Sequence, residues 1–189
     1  TEKIDFQSVD KHTKQIEKTL LMSPCRRMKL KNEVDLYKVK NQDINFIRIR
    51  GFNNIFSNFF RMNVLLKKVT IEHVVVLPSF AFCECVSLEE VICPQVQEIQ
   101  FACFMYCVGL KSFVGDRVEK VGPAAFCRTG LKKINLSQVK KLPKQCFQRS
   151  LMQQVDLINC VEIGDDAFLD CNQVEVVIGD VELPKEVVR

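Results

Sequence analysis

Ten cysteines and two histidines are the side chains of this 189-residue chain best suited to metal, redox or nucleophilic chemistry. Cys83-Glu84-Cys85, together with Cys103 and Cys107, could gather a metal ion or form disulfides if the fold laid their two segments side by side. The spacing lacks the paired C-x-x-C of a zinc site, and His12 and His73 stand outside any such grouping. The sequence contains no phosphate-cradling glycine loop, no H-E-x-x-H pair and no nucleophile elbow. These residues read as a non-enzymatic chain with no cofactor and no metal, whose thiols serve as small core residues. Reduced cysteines in turn lean toward a cytoplasmic compartment.

Charge offers a second kind of chemistry. Residues 117–149 hold 9 Lys/Arg against 1 Asp/Glu, whereas residues 150–189 hold 2 against 9. The block formed by Arg128, Lys132, Lys133, Lys140, Lys141 and Lys144 could contact a polyanion or steer an acidic partner. Trp is absent and the two tyrosines, Tyr37 and Tyr106, are remote from these lysines, so stacking platforms for nucleic acid are missing and the acidic end opposes phosphate. Polyanion binding is therefore the weaker alternative. Asn135-Leu136-Ser137 matches a glycosylation sequon, but on a segment that reads as a strand.

The elements that must position these groups follow from an internal repeat. Phenylalanine recurs at Phe60, Phe82, Phe104, Phe126, Phe147 and Phe168, at spacings of 22, 22, 22, 21 and 21 residues. An aliphatic stands five residues before each, from Ile55 and Leu77 to Ile163, and a small residue directly before most, such as Ala81, Cys103 and Cys146. Beyond each Phe comes a Leu-like residue and then a period-2 alternation, as in Leu131-Lys132-Lys133-Ile134-Asn135-Leu136, which predicts a short strand with one face buried. A unit of this size removes too little surface from water to stand alone, so the units must stack, pairing their strands into one parallel sheet.

The strings LPSFAFCECVSLEEVICPQV (from Leu77) and IGDDAFLDCNQVEVVIGDV (from Ile163), with their A-F-x-x-C-x-x-L core, resemble the BspA-like leucine-rich repeat. Six copies run from Ile55 to Val181; the fourth and fifth are one residue short after the Phe. The resemblance implies a right-handed α/β solenoid with the parallel sheet on its concave face, and roles in adhesion or in recognition of host or matrix proteins at a cell surface. An intracellular scaffold or regulatory subunit is the alternative that the cysteines favour.

The expected organisation is an N-terminal cap over 1–54 and an array over 55–189, with Leu183-Pro184-Lys185 opening a seventh unit. Phe6, Val9, Thr13, Ile16 and Leu20 form an amphipathic stripe with Asp5 as N-cap, which predicts a capping helix. Met28-Lys29-Leu30 and Phe46-Ile47-Arg48-Ile49 read as eroded strands of the same sheet. No apolar run approaches the length of a membrane span, and the chain starts at Thr1 rather than Met, which leaves room for a removed leader. The concave face is expected to present Lys68, Glu90, Ser112, Lys133, Gln154 and Val176 in one column, and Thr70, Ile92, Val114, Asn135, Asp156 and Ile178 in the next. The aliphatics of the second column, with Ile158 beside them, mark a face for a protein partner of unknown identity.

Overall fold

The computed structural model describes residues 27–30, 44–50, 55–171 and 174–178. The amphipathic stripe Phe6–Leu20 and the opening of a seventh unit at Leu183 lie outside the described residues, so the capping helix stays an expectation. The strands, in chain order, are β1 (Arg27–Leu30), β2 (Phe46–Ile49), β3 (Lys68–Ile71), β4 (Val76–Leu77), β5 (Glu90–Ile92), β6 (Glu98–Ile99), β7 (Ser112–Val114), β8 (Lys120–Val121), β9 (Lys133–Asn135), β10 (Lys141–Leu142), β11 (Gln154–Leu157), β12 (Glu162–Ile163) and β13 (Glu175–Ile178). β1, β2, β3, β5 and β7 pair in that order into a parallel sheet, which β9, β11 and β13 continue after an interruption. The short strands β4, β6 and β8, then β10 and β12, make a second parallel ladder along the flank.

Each turn closes through an arm that carries the Phe, and the arm is a run of turns, with no helix among the described residues. In the second copy Ala81 N–H bonds Pro78 C=O at 3.2 Å, Cys83 bonds Phe80 at 3.2 Å and Cys85 bonds Phe82 at 3.1 Å. The intervening amides are used elsewhere: Phe80, Phe82 and Glu84 donate to Phe101, Cys103 and Met105 of the next turn at 3.1, 2.9 and 2.8 Å. A helix would keep those donors to itself. Aiming them along the stack requires left-handed backbone at two residues per arm, Phe80 (φ 58°) and Glu84 (φ 63°) here and their equivalents in every copy, at a cost of about 1–2 kcal/mol each.

The six phenylalanines of the repeat form one column of stacked rings, with successive centroids 5.0, 5.3, 5.4, 5.5 and 5.5 Å apart. Successive rings lie within 3–12° of parallel, at the ~4.5–7 Å separations at which aromatic pairs attract. Leu66, Leu88, Leu110, Leu131 and Met152 fill the space between the Phe column and the sheet, all fully buried.

Both sheets are interrupted at the same turn, between β7 and β9 and between β8 and β10. Here the connection is one residue shorter, and Gly130 packs so tightly on Val108 C=O that no side chain fits. On the flank, the amides of Gln100, Gly122 and Gly164 each bond the strand of the preceding turn, whereas the equivalent residue at the interruption is Pro143, which has no N–H. The arms keep their bonds across the seam, from Phe126 N–H to Cys146 C=O at 2.9 Å. Phe113 replaces the valine or isoleucine of the other strands and wedges its ring edge-on between Phe104 and Phe126 at 5.6 and 5.5 Å. Room for it comes from Gly115, which stands where Ile71, Cys93, Leu136 and Leu157 stand in other strands; a Cβ there would lie 2.8 Å from the Phe113 ring.

Register corrects one sequence expectation. Gln154 pairs with Glu175, Val155 with Val176 and Asp156 with Val177. Glu175 and Val177 therefore hold the outward register positions, while Val176 and Ile178 align with the inward positions of Val155 and Leu157. Val174 resembles the leucine of a full-length connection, which misled the count; the sixth copy is as short as the fourth and fifth.

Replacing Phe126 by Ala, which empties the middle of the ring column, is expected to cost about 3–5 kcal/mol in urea unfolding; a wild-type midpoint would contradict the stacked core. Gly115→Leu alone overpacks and Phe113→Val alone leaves a void, each destabilising by about 1–3 kcal/mol. The double variant should recover at least about 1 kcal/mol of the summed loss in the same measurement.

Candidate partner-binding face

The ladder register lines up Phe46, Lys68, Glu90 and Ser112 in one row across β2, β3, β5 and β7, and Arg48, Thr70, Ile92 and Val114 in the next. Beyond the seam Lys133 aligns with Gln154, and Asn135 with Asp156. Phe46 and Arg48 join the face because β2 is a full member of the sheet, although its turn lacks a phenylalanine of the repeat. Period-2 alternation was their signal in the sequence.

Most charges on and beside this face are neutralised across turns. Lys68 Nζ lies 2.8 Å from Glu90, and the hydrogen bond to that carboxylate holds the ammonium above its usual pKa. Arg48 and Arg50 converge on Glu72 at 2.6 and 2.8 Å; the Arg48 hydrogen bond is the main reason that its carboxyl is lowered. Lys111 meets Glu89 at 3.4 Å. Each pair is exposed and contributes little to stability, yet together they cancel most of the charge from β3 to β7, leaving the exposed Lys67 as a single unmatched cation there among the described residues. Lys132 and Lys133 differ: both are exposed and neither has a carboxylate partner among the described residues.

The rest of the basic block does not share that surface. A turn of solenoid distributes consecutive residues over three sides, so Lys132 and Lys133 sit at the main sheet, Lys140 and Lys141 on the flank, and Arg128 and Lys144 on the arms. Arg128 lies over the Tyr106 ring at 5.0 Å, and Lys141 pairs with Glu162 at 2.5 Å. Between Glu98–Phe101 and Lys120–Gly122 the flank has an open depression of about 210 Å³, below the ~300 Å³ at which small-molecule pockets begin.

An apolar ridge escaped the sequence reading. Val64, Val86, Val108 and Leu151 occupy the fourth position after the Phe and are all exposed, with Leu65 beside the first. Reading that column at fixed offset from the Phe would have revealed it.

The cysteines occupy core slots. Nine are described, all free thiols. Cys103 and Cys146 fill the alanine slot before the Phe and Cys93 a strand position, each fully buried. Cys85, Cys107 and Cys171 donate S–H to the carbonyls of Phe60, Phe82 and Phe147 in the preceding turn at 2.9, 3.0 and 2.8 Å. In the fourth and fifth copies Thr129 and Ser150 take this slot; Thr129 Oγ1 bonds Phe126 C=O of its own turn at 2.9 Å. Burial pushes the Cys83 thiol up to about 11 and Cys85 to about 12, and raises Cys93, Cys103, Cys107 and Cys146 as well. These thiols are poor nucleophiles. Among the described residues no three His, Cys, Asp or Glu side chains are placed to hold a metal.

Parallel rungs and a stacked Phe column recur turn after turn, with a thiol at the third position after the Phe in three of the six copies. Residues 32–111 and 75–183 match the BspA type leucine rich repeat region, in six copies. The chain belongs to this family. Among solved structures, a leucine-rich repeat protein from Bacteroides ovatus is similar at 18% identity and a TM-score of 0.58, covering 82% of this chain and 37% of that one. A leucine-rich repeat protein from Eubacterium ventriosum aligns at 16% identity and a TM-score of 0.58 over 70% of this chain and 37% of its own. The T. pallidum leucine rich repeat protein TpLRR matches at 17% identity and a TM-score of 0.58, covering 82% of this chain and 80% of that protein. At these identities the likeness is one of fold, and the chain spans about a third of the first two proteins. No curated protein matches the sequence.

The raised thiols make stability depend on pH. Their contribution is whole below the unfolded thiol value of ~8.5 and is lost as pH rises toward the folded values. Stability is therefore expected to fall progressively above ~8.5, as the unfolded chain gives up the protons that burial keeps on Cys85, Cys93, Cys103, Cys107 and Cys146. Circular dichroism across an alkaline titration checks this; a native spectrum at pH 11 would show that the thiols are not buried as described.

Proposed function

We propose that this leucine-rich-repeat chain is a non-enzymatic protein-binding module that receives its partner on the concave sheet. Family membership supports protein interaction in general terms. The contact surface proposed here is the row Thr70, Ile92 and Val114, bordered by Lys68, Glu90 and Ser112, and continued past the seam by Lys133, Asn135, Gln154 and Asp156. The observation that carries this reading is Val114, 40% exposed on a strand that the core holds rigid, next to the half-buried Ile92. Aliphatics presented from a fixed sheet, with the neighbouring charges already paired, gain by desolvation on contact without first having to be ordered.

Two settings are open to such a module. The family supports adhesion, or recognition of host or matrix proteins at a cell surface. The nine free thiols favour an intracellular scaffold or regulatory subunit in a reducing compartment. Polyanion binding is the least supported use, because the fold disperses the basic block around three sides of a turn.

A photo-crosslinking side chain placed at Ile92 or Val114 is expected to capture the same protein from source-cell extract. Placed at the flank residue Val161, which is 69% exposed, it should not. Capture from Val161 with none from Ile92 and Val114 would move the binding surface off the sheet.

A further inference from the structure

We infer that the partner of this face is an extended segment with an aliphatic stretch flanked by acidic side chains, lying across the strands with its aliphatics on Ile92 and Val114 and its carboxylates on Lys132 and Lys133. The inference rests on the concave-face reading above and adds the chemistry of the occupant.

Charge bookkeeping along the sheet supplies the polarity. At β2 the two guanidiniums of Arg48 and Arg50 share one carboxylate, Glu72, which leaves one positive charge unmatched. The pairs Lys68–Glu90 and Lys111–Glu89 cancel over β3, β5 and β7, and the exposed Lys67 before β3 is left over as a single cation among the described residues. At β9 Lys132 and Lys133 stand side by side with no carboxylate partner among the described residues. Beyond them Asp156 on β11 and the exposed Glu175 on β13 reverse the sign. Between the two positive ends lies the row Thr70, Ile92 and Val114, which can take apolar side chains, with Lys67 before β3 as one further cation at its near end.

An occupant complementary to this pattern carries carboxylates toward both ends of an aliphatic stretch and stops being acidic past β9. Four strand steps from β2 to β9 amount to ~19 Å, which about six extended residues cover. Nucleic acid fits less well. Its phosphates repeat without an apolar interval, and the one aromatic on the face, Phe46 on β2, lies four strands from Lys133. Two unpartnered lysines at the edge of a dry row would instead set the register of a peptide and steer its approach.

Panning a displayed library of linear peptides of about twelve residues on the full chain, followed by fluorescence anisotropy with the enriched peptides, tests this. The expected winners carry an aliphatic stretch flanked by acidic residues. Their affinity should fall at least about tenfold for Lys132→Glu/Lys133→Glu and for Val114→Ser, with unchanged thermal midpoints. A peptide whose acidic residues are replaced by lysine should regain binding to the Lys132→Glu/Lys133→Glu protein and not to wild type, an outcome that general destabilisation would not produce. Winners that need Val114 but ignore both lysines would overturn the acidic class while leaving the concave face intact. Winners indifferent to Val114 and to both lysines would overturn both readings. If no peptide is enriched, or if heparin or single-stranded RNA binds through Lys132 and Lys133 in its place, the acidic-peptide assignment is wrong.

Discussion

A chain turn of about 22 residues cannot bury its own apolar side, and every other feature of this protein follows from the need to cover that side with the next turn. Covering like with like puts identical groups in columns. Phe rings stack on Phe rings at 5.0–5.5 Å, arm amides bond the carbonyls of the following turn, and thiols bond those of the preceding one. The stacking bonds also explain why the arms are turns with left-handed residues, since a helix would retain the donors that hold the rungs together. In the first five copies each left-handed residue carries strain that the amide of the same residue offsets by bonding the following turn.

The stack is not uniform, and its one irregular junction coincides with the proposed contact surface. Here the connection is one residue shorter, Gly130 packs on Val108, Pro143 removes a flank bond, and Phe113 with Gly115 rebuilds the core between them. The aliphatic row on β5 and β7 ends at this seam, and two adjacent unpaired lysines stand on its far side at β9. Cross-turn ion pairs neutralise much of the remaining charge on the sheet, so what the face offers a partner is set less by net charge than by which cations are left over.

How much of this could be read in the sequence depended on distance from the phenylalanines. Their spacing alone located the core columns, assigned Cys85, Cys103, Cys107 and Cys146 to the interior, and identified Ile92 and Val114 as outward strand residues. It failed at Val174, an aliphatic one position past the leucine slot, which displaced the expected outward residues of β13 to Val176 and Ile178. It could not reveal Arg48–Glu72 or Lys68–Glu90, because pairing across turns depends on side-chain reach and not on periodicity. Nor did a block of cations contiguous in sequence become one patch: a coil with three sides separates residues that a helix or strand would keep together. The ridge of Val64, Val86, Val108 and Leu151 was legible at fixed offset but lies outside the strand positions from which the face was read.

If vertical repetition is the organising constraint, one whole rung is removable and part of a rung is not. Deleting residues 83–104, one full 22-residue period that joins Phe82 to Met105, preserves every column and shortens the stack by one turn. Urea unfolding of that protein, followed by circular dichroism, is predicted to remain a single cooperative transition with a smaller m-value than the parent, since less surface is exposed on unfolding. Loss of the cooperative transition would contradict the account, for it would mean that the fold depends on particular residues of the second and third turns and not on their repetition.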